Sequence, residues 1–193
     1  MGLNIGYLTS DRTPQGDEVY TPFYAVAPIL KYVDKNKKIW CPFDENWSAF
    51  YQTFKENGYN VIRRSLKEGQ DFFNYEPADY DIIISNPPFS KKDYVLKRLD
   101  ELGKPFMLLL HVNSIQGSKR YDWCYKNGIE MLAFDKRIDY HTWDNFQTYT
   151  KGNHFGSAYF CRNVLPKALI VEKLDKFERP LKEVSENDRP TAN

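Results

Sequence analysis

Residues 81–89 read Asp-Ile-Ile-Ile-Ser-Asn-Pro-Pro-Phe. Ile82, Ile83 and Ile84 form a β-branched run with no polar residue between them. A run of this kind predicts a strand covered on both faces, the habit of parallel sheets. Pro87 and Pro88 end it. Neither has an N–H to give a ladder, and each holds the residue before it in extended backbone. The stretch therefore predicts a central strand over 81–85 that stops at a rigid corner.

Strands and helices alternate on either side of this run. Residues 37–42 and 59–62 predict strands before it. Residues 105–110, 129–134 and 157–162 predict strands after it, with 168–171 a further short element. Trp47, Phe50, Tyr51 and Phe54 make a helical stripe over 47–57, closed by Asn57 and Gly58. Residues 91–102 predict a helix stopped by Gly103, and 121–126 a short one. Val26, Ile29, Leu30 and Val33 predict a helix over 21–33, with Thr21 as N-cap, Pro22 in the first turn and Pro28 as a kink or early end. Residues 135–156 show no period but many aromatic and charged side chains. The alternation predicts an α/β fold with a mostly parallel, doubly wound sheet. Residues 1–19 are expected to be a mobile segment, 20–174 one domain, and the charged stretch 175–193 a disordered tail.

The chain has 193 residues, 41% of them hydrophobic, which suits one domain with a real core. Lys plus Arg number 27 and Asp plus Glu 26, which excludes a chain-wide polyanion-binding surface but leaves room for a local basic patch. Three cysteines, Cys41, Cys124 and Cys161, have no metal-site spacing, and an odd count fits a reducing cytoplasm. His111, His141 and His154 share no ligand spacing, so no metal is expected. Apolar runs are too short for a membrane span, and the first residues lack a secretory pattern.

Ligands of doubly wound sheets sit beyond the C-terminal strand ends. Here those positions are residues 41–45, 63–65, 86–89 and 111–114. After the Ile run, the Asn86 side chain and the Pro87 carbonyl offer two acceptors to one point. An exocyclic amine has two hydrogens to give, and accepting both localises the nitrogen lone pair. A flat ring at Phe89 suits stacking on the base that carries such an amine. The plainer role for Asn86 is a turn cap at a strand end.

Asn86-Pro87-Pro88-Phe89 resembles the catalytic tetrapeptide of S-adenosylmethionine-dependent adenine DNA methyltransferases. Other residues match in the same order. Tyr20-Thr21-Pro22 resembles the element that touches the methionine end of the cofactor. Trp40-Cys41-Pro42-Phe43-Asp44 resembles the loop after the first strand. Asp71-Phe72 falls where the family contacts the adenine ring. Residues 155–166 resemble the late strand supporting the target-base pocket. The resemblance implies a Rossmann-like class I methyltransferase fold, S-adenosylmethionine as methyl donor, DNA as partner and a cytoplasmic setting. Catalysis would fall to Asn86, Pro87, Pro88 and Phe89. Cofactor binding would fall to Tyr20, Thr21, Pro22, Cys41, Pro42, Phe43, Asp44, Asp71 and Phe72.

The first loop has no glycine between Asn36 and Gly58, where the family usually has several. Such a loop is more similar to EcoRI-type modification methylases and small phage-encoded relatives, with Asp44 placed to hold the methionine ammonium. Asp44 can equally cap the helix before Trp47, and Asp71 can equally make an Asx turn. Arg63, Arg64 and Ser65 stand where such sheets usually carry a ribose-binding acid, and Glu68 is the nearest one. Lys91, Lys92, Lys97, Arg98, Lys119, Arg120, Lys136 and Arg137 predict a basic rim for phosphates. Tyr140, His141, Trp143, Phe146 and Tyr149 suit either a base-wedging surface or a packed loop. The alternatives kept open are a non-catalytic binding or inhibitory module, or methylation of RNA adenine or protein glutamine.

Overall fold

Ile82–Ser85 is a strand whose four residues are all buried. The computed structural model describes residues 19–63, 69–142, 145–149, 153 and 155–181. In chain order the strands are β1 (Val19–Tyr20), β2 (Lys38–Cys41), β3 (Asn60–Arg63), β4 (Ile82–Ser85), β5 (Phe106–His111), β6 (Glu130–Phe134), β7 (His141–Thr142), β8 (Ser157–Arg162) and β9 (Leu169–Glu172). The helices are α1 (Phe23–Val26), α2 (Ala49–Glu56), α3 (Lys92–Leu102) and α4 (Ser118–Asn127).

Seven strands form one sheet in the order β3-β2-β4-β5-β8-β6-β9. β8 runs antiparallel between β5 and β6, and every other pairing is parallel. Successive side chains alternate between two apolar layers, as the pleat requires. Ile39, Cys41, Ile84, Met107, Leu109 and Tyr159 face one layer, with Phe23, Val26, Phe50 and Phe54 from α1 and α2. Trp40, Ile83, Phe106, Leu108 and Phe160 face the other, with Val95, Leu96 and Leu99 from α3. This is the doubly wound, mostly parallel α/β sheet that the alternation predicts.

Two expectations need correcting. The 21–33 segment is not one helix. α1 lasts four residues and gives way to a 3-10 turn over Ala27–Tyr32. Pro28 has no N–H for an α-helical bond, and its ring crowds the carbonyl four residues back. Pro22, not Thr21, takes the N-cap position, with no side-chain cap bond. The second correction concerns residues 175–181 alone. Residues 175–181 pack over α1 and α2. Arg179 lies over the Phe23 ring at 3.8 Å and makes two contacts to Glu56, at 2.9 and 2.7 Å. Leu174 and Leu181 are buried. Charged composition suggested disorder, but two spaced leucines and one stacked guanidinium suffice to hold an extended strap.

Residues 1–18, Arg64, Ser65, Glu68, Trp143, His154, residues 182–193 and the Lys119 side chain lie outside the described residues. Among the described residues, no helix is long and apolar enough to cross a membrane.

Candidate active site

The chain enters the sheet at β2, pairs β3 on one side of it, and then places β4 on the other. The strand order reverses there, which opens a crevice beyond the ends of β2 and β4. Asp44 follows β2, and Asn86 follows β4. The Ser85 hydroxyl donates a hydrogen bond to the Asp44 carboxylate, so the two loops are tied together at the crevice.

Asp44 and Ser85 are both buried, at 5% and 0% exposure. Burial pushes the Asp44 carboxyl up to about 7, with the Ser85 and Ser48 hydroxyls pulling the other way. A carboxylate at that position stays ionised most readily when a cation joins it. Ser48 Oγ also accepts from Glu45 N at 2.8 Å, which fixes the turn into α2. The turn-capping role for this loop thus falls to Ser48.

Asn86 is half-buried, and its Oδ1 is shielded from solvent with no hydrogen-bond partner. Buried acceptors are normally paired, so an orphan at a strand end marks a place where a donor is missing. Pro87 is buried. The Pro88 carbonyl accepts from Lys91 N at 3.1 Å, which turns the chain into α3. Phe89 meets Phe155 at 5.7 Å, Tyr140 at 6.4 Å and His111 at 6.5 Å, all edge-on. The His111 and Tyr140 rings each stack on Phe155. Tyr140 Oη donates to Ser157 Oγ at 2.7 Å. Four rings, from the ends of β4 and β5, the residue before β7 and the approach to β8, therefore form one aromatic cluster, with Phe89 three residues from Asn86.

The expected cofactor residues fall into three groups. Tyr20 pairs with His141 in the two-residue ribbon β1–β7 and packs edge-on against Trp47 at 5.0 Å. Thr21 is buried and its Oγ1 has no partner. Pro22 is buried beside it. Phe43 is half-buried and packs on Phe72 at 4.9 Å, so the first loop and the Asp71–Phe72 turn meet. Asp71 makes the Asx turn, its carboxylate accepting from Phe73 N at 3.1 Å. Phe72 is buried beneath Phe43 and Trp40, which leaves Phe43 as the more exposed ring. Cys41 is wholly buried, with its thiol pushed up by burial, and Pro42 is buried after it. The Cys41 side chain belongs to the core.

The basic rim is largely spent on internal bonds. Arg98 bonds Phe72 O and Glu101, Arg120 bonds Asp93, Lys136 bonds Leu174 O and Arg137 bonds Asn153 O. Lys92 Nζ donates to Phe89 O at 3.4 Å. Lys91 and Lys97 are exposed. Tyr140, His141 and Phe146 are buried, so the aromatic stretch is chiefly a packed loop, with Tyr140 reaching the Phe89 cluster. At the end of β3, Arg63 Nε donates to Asn46 at 2.5 Å and its guanidinium lies 3.5 Å from Glu45. Sequence reasoning singled out position 111 as a strand end but missed Ser85 and the ring cluster around Phe89. Ser85 carried a usable signal, being the one polar residue of its strand. The cluster needed the third dimension.

No family model and no curated protein sequence matches the chain. Among solved structures, the fold is similar to an Agrobacterium tumefaciens protein described as a predicted O-methyltransferase. The TM-score is 0.48 at 10% identity, over 87% of this chain and 91% of that one. It is also similar to a Vibrio vulnificus chain described as the modification subunit of a type I restriction enzyme. There the TM-score is 0.45 at 8% identity, over 94% of this chain and 52% of that one, so the chain spans about half of it.

Proposed function

We propose that the chain is an S-adenosylmethionine-dependent methyltransferase that acts on the exocyclic amine of an adenine extruded from DNA. The observation that carries this is the shielded, partnerless Asn86 Oδ1 at the head of Asn86-Pro87-Pro88-Phe89, beside four clustered rings. Three residues that the resemblance assigns to the cofactor suit the methyl donor chemically. Asp44 offers a buried carboxylate to an ammonium, Thr21 an unpartnered hydroxyl, and Phe43 a half-exposed ring. S-adenosylmethionine, when bound, supplies an electrophilic methyl group. Asn86 Oδ1 and the Pro87 carbonyl accept the two amine hydrogens and concentrate the nitrogen lone pair. Phe89 and its neighbouring rings receive the base face and exclude water.

The aromatic cluster favours a base over a glutamine amide, which has no ring to stack. A non-catalytic role is favoured by one observation, Arg63 at the β3 end engaged by Glu45 and Asn46. The test is Asn86→Ala under single turnover with labelled S-adenosylmethionine. Loss of one organising acceptor should slow transfer by ~10²–10³ while the melting temperature holds. Undiminished transfer in the folded variant would defeat the assignment.

A further inference from the structure

His111 ends β5, and its imidazole carries one more polar group than its place in the chain requires. Nδ1 accepts a hydrogen bond from Asn113 N at 3.1 Å, which caps the 3-10 turn over Val112–Ile115. A ring nitrogen that accepts holds no proton, so the proton of the neutral imidazole sits on Nε2. Burial and the nearby Lys92 ammonium both push the ring below its ordinary pKa, which favours that neutral form. Neighbouring rings fix its plane. It stacks on Phe155 at 5.0 Å and meets Phe89 edge-on at 6.5 Å. Nε2–H meets no acceptor among the described residues, and the half-buried ring leaves it within reach of solvent.

A turn cap needs an acceptor alone, which Asn, Asp or Ser supplies with a shorter side chain. Histidine adds a rigid ring and a donor that points away from the cap. β4 and β5 pair in parallel, so Asn86 after β4 and His111 at the close of β5 stand at the same end of the sheet. One brings an acceptor without a partner, the other a fixed neutral donor in contact with the Phe89 ring. An aminopurine has the complementary pattern, an amine that donates beside ring nitrogens that accept. We propose that His111 Nε2–H donates to a ring nitrogen of the extruded base, N1 or N7, while Asn86 receives the amine. His111 thereby reads the base that Phe89 stacks on. The inference rests on the proposed function and adds to it a specificity residue that the resemblance does not assign.

The test is single-turnover transfer from labelled S-adenosylmethionine to mixed-sequence DNA made with adenine, with 7-deazaadenine or with 1-deazaadenine. Each analogue replaces one ring nitrogen by a carbon and keeps the amine. The full chain is compared with His111→Phe, which keeps a flat ring against Phe155 and removes the donor. Taking the ratio of the two chains on each DNA cancels whatever the analogue does to base extrusion or to the amine itself. His111→Phe should slow transfer to adenine roughly tenfold, the scale of one hydrogen bond left unmade. On one of the two analogues, the one lacking the nitrogen that is read, the two chains should agree within about twofold. Equal slowing on all three DNAs, or no slowing on adenine, would overturn the inference and leave the proposed function standing. Failure of the unmodified chain to methylate adenine would overturn both. Should His111→Phe not fold, His111→Asn is read the same way, since it keeps the cap acceptor but places no donor at the Nε2 position.

Discussion

Asp44 sits in an environment that its residue type disfavours, buried just past the end of β2. Its carboxyl is raised from 3.8 to about 7 by burial. The folded chain therefore holds this proton more tightly than the unfolded chain does. Stability from this group is fully present below about pH 4 and is lost as pH rises towards 7, by up to ~4 kcal/mol. Asp44→Asn should flatten that slope in denaturant titrations between pH 4.5 and 7.5. An unchanged slope would show that the carboxyl titrates normally. An ammonium beside Asp44 reverses the preference, so binding of S-adenosylmethionine should release a proton and tighten as pH rises from 6 to 8. Calorimetry in buffers of different ionisation heat reads that proton directly. The role proposed for Phe89 falls at a different step. It meets three rings but remains half-buried, so Phe89→Ala should weaken capture of an extruded base by ~1–3 kcal/mol and leave S-adenosylmethionine binding near its original value. Parallel loss of both would assign Phe89 to the core instead.

Elements show where local sequence sufficed and where it did not. β4, β5 and α3 were legible because each carries its own signal. β4 and β5 have unbroken apolar runs, and α3 has a glycine stop. Gly103 sits at φ 64° past the end of α3, with open space where a Cβ would go. Gly103→Ala should cost ~1–2 kcal/mol from the left-handed backbone alone, read as a shift in the denaturant midpoint. A neutral substitution would mean that the helix end relaxes. β1 and β7 were not legible, because two-residue strands have no periodicity and exist only by pairing with each other. The strap over 173–181 was masked by its charges. Leu174→Ala there should cost ~2–5 kcal/mol, as a buried leucine does, whereas Leu169→Ala on the exposed side of β9 should stay within ~0.5 kcal/mol. Equal effects would show that the strap does not hold in solution.

At the scale of the whole molecule, the proposed function depends on the reversal of strand order between β2 and β4. Asn86-Pro87-Pro88-Phe89 was conspicuous in the sequence. Its surroundings did not, because Asp44 and Ser85 are 41 residues apart and meet only when β2 and β4 become neighbours. The same distance hid the ring cluster, whose members come from positions 89, 111, 140 and 155. The basic side chains left for phosphates near this end are fewer than the sequence suggested, since Arg98, Arg120 and Lys136 bond within the fold. Any duplex affinity should therefore show a shallow salt dependence, set by a few phosphates. The central claim is that this crevice methylates adenine in DNA. The direct measurement is incubation of the full chain with methyl-labelled S-adenosylmethionine and mixed-sequence duplex DNA, RNA and protein in parallel, followed by digestion and separation of the products. Label in N(6)-methyladenosine from the DNA digest, absent with Asn86→Ala, is the expected outcome. Label confined to RNA or protein, or no transfer to any of the three by a chain that binds the methyl donor, would refute it.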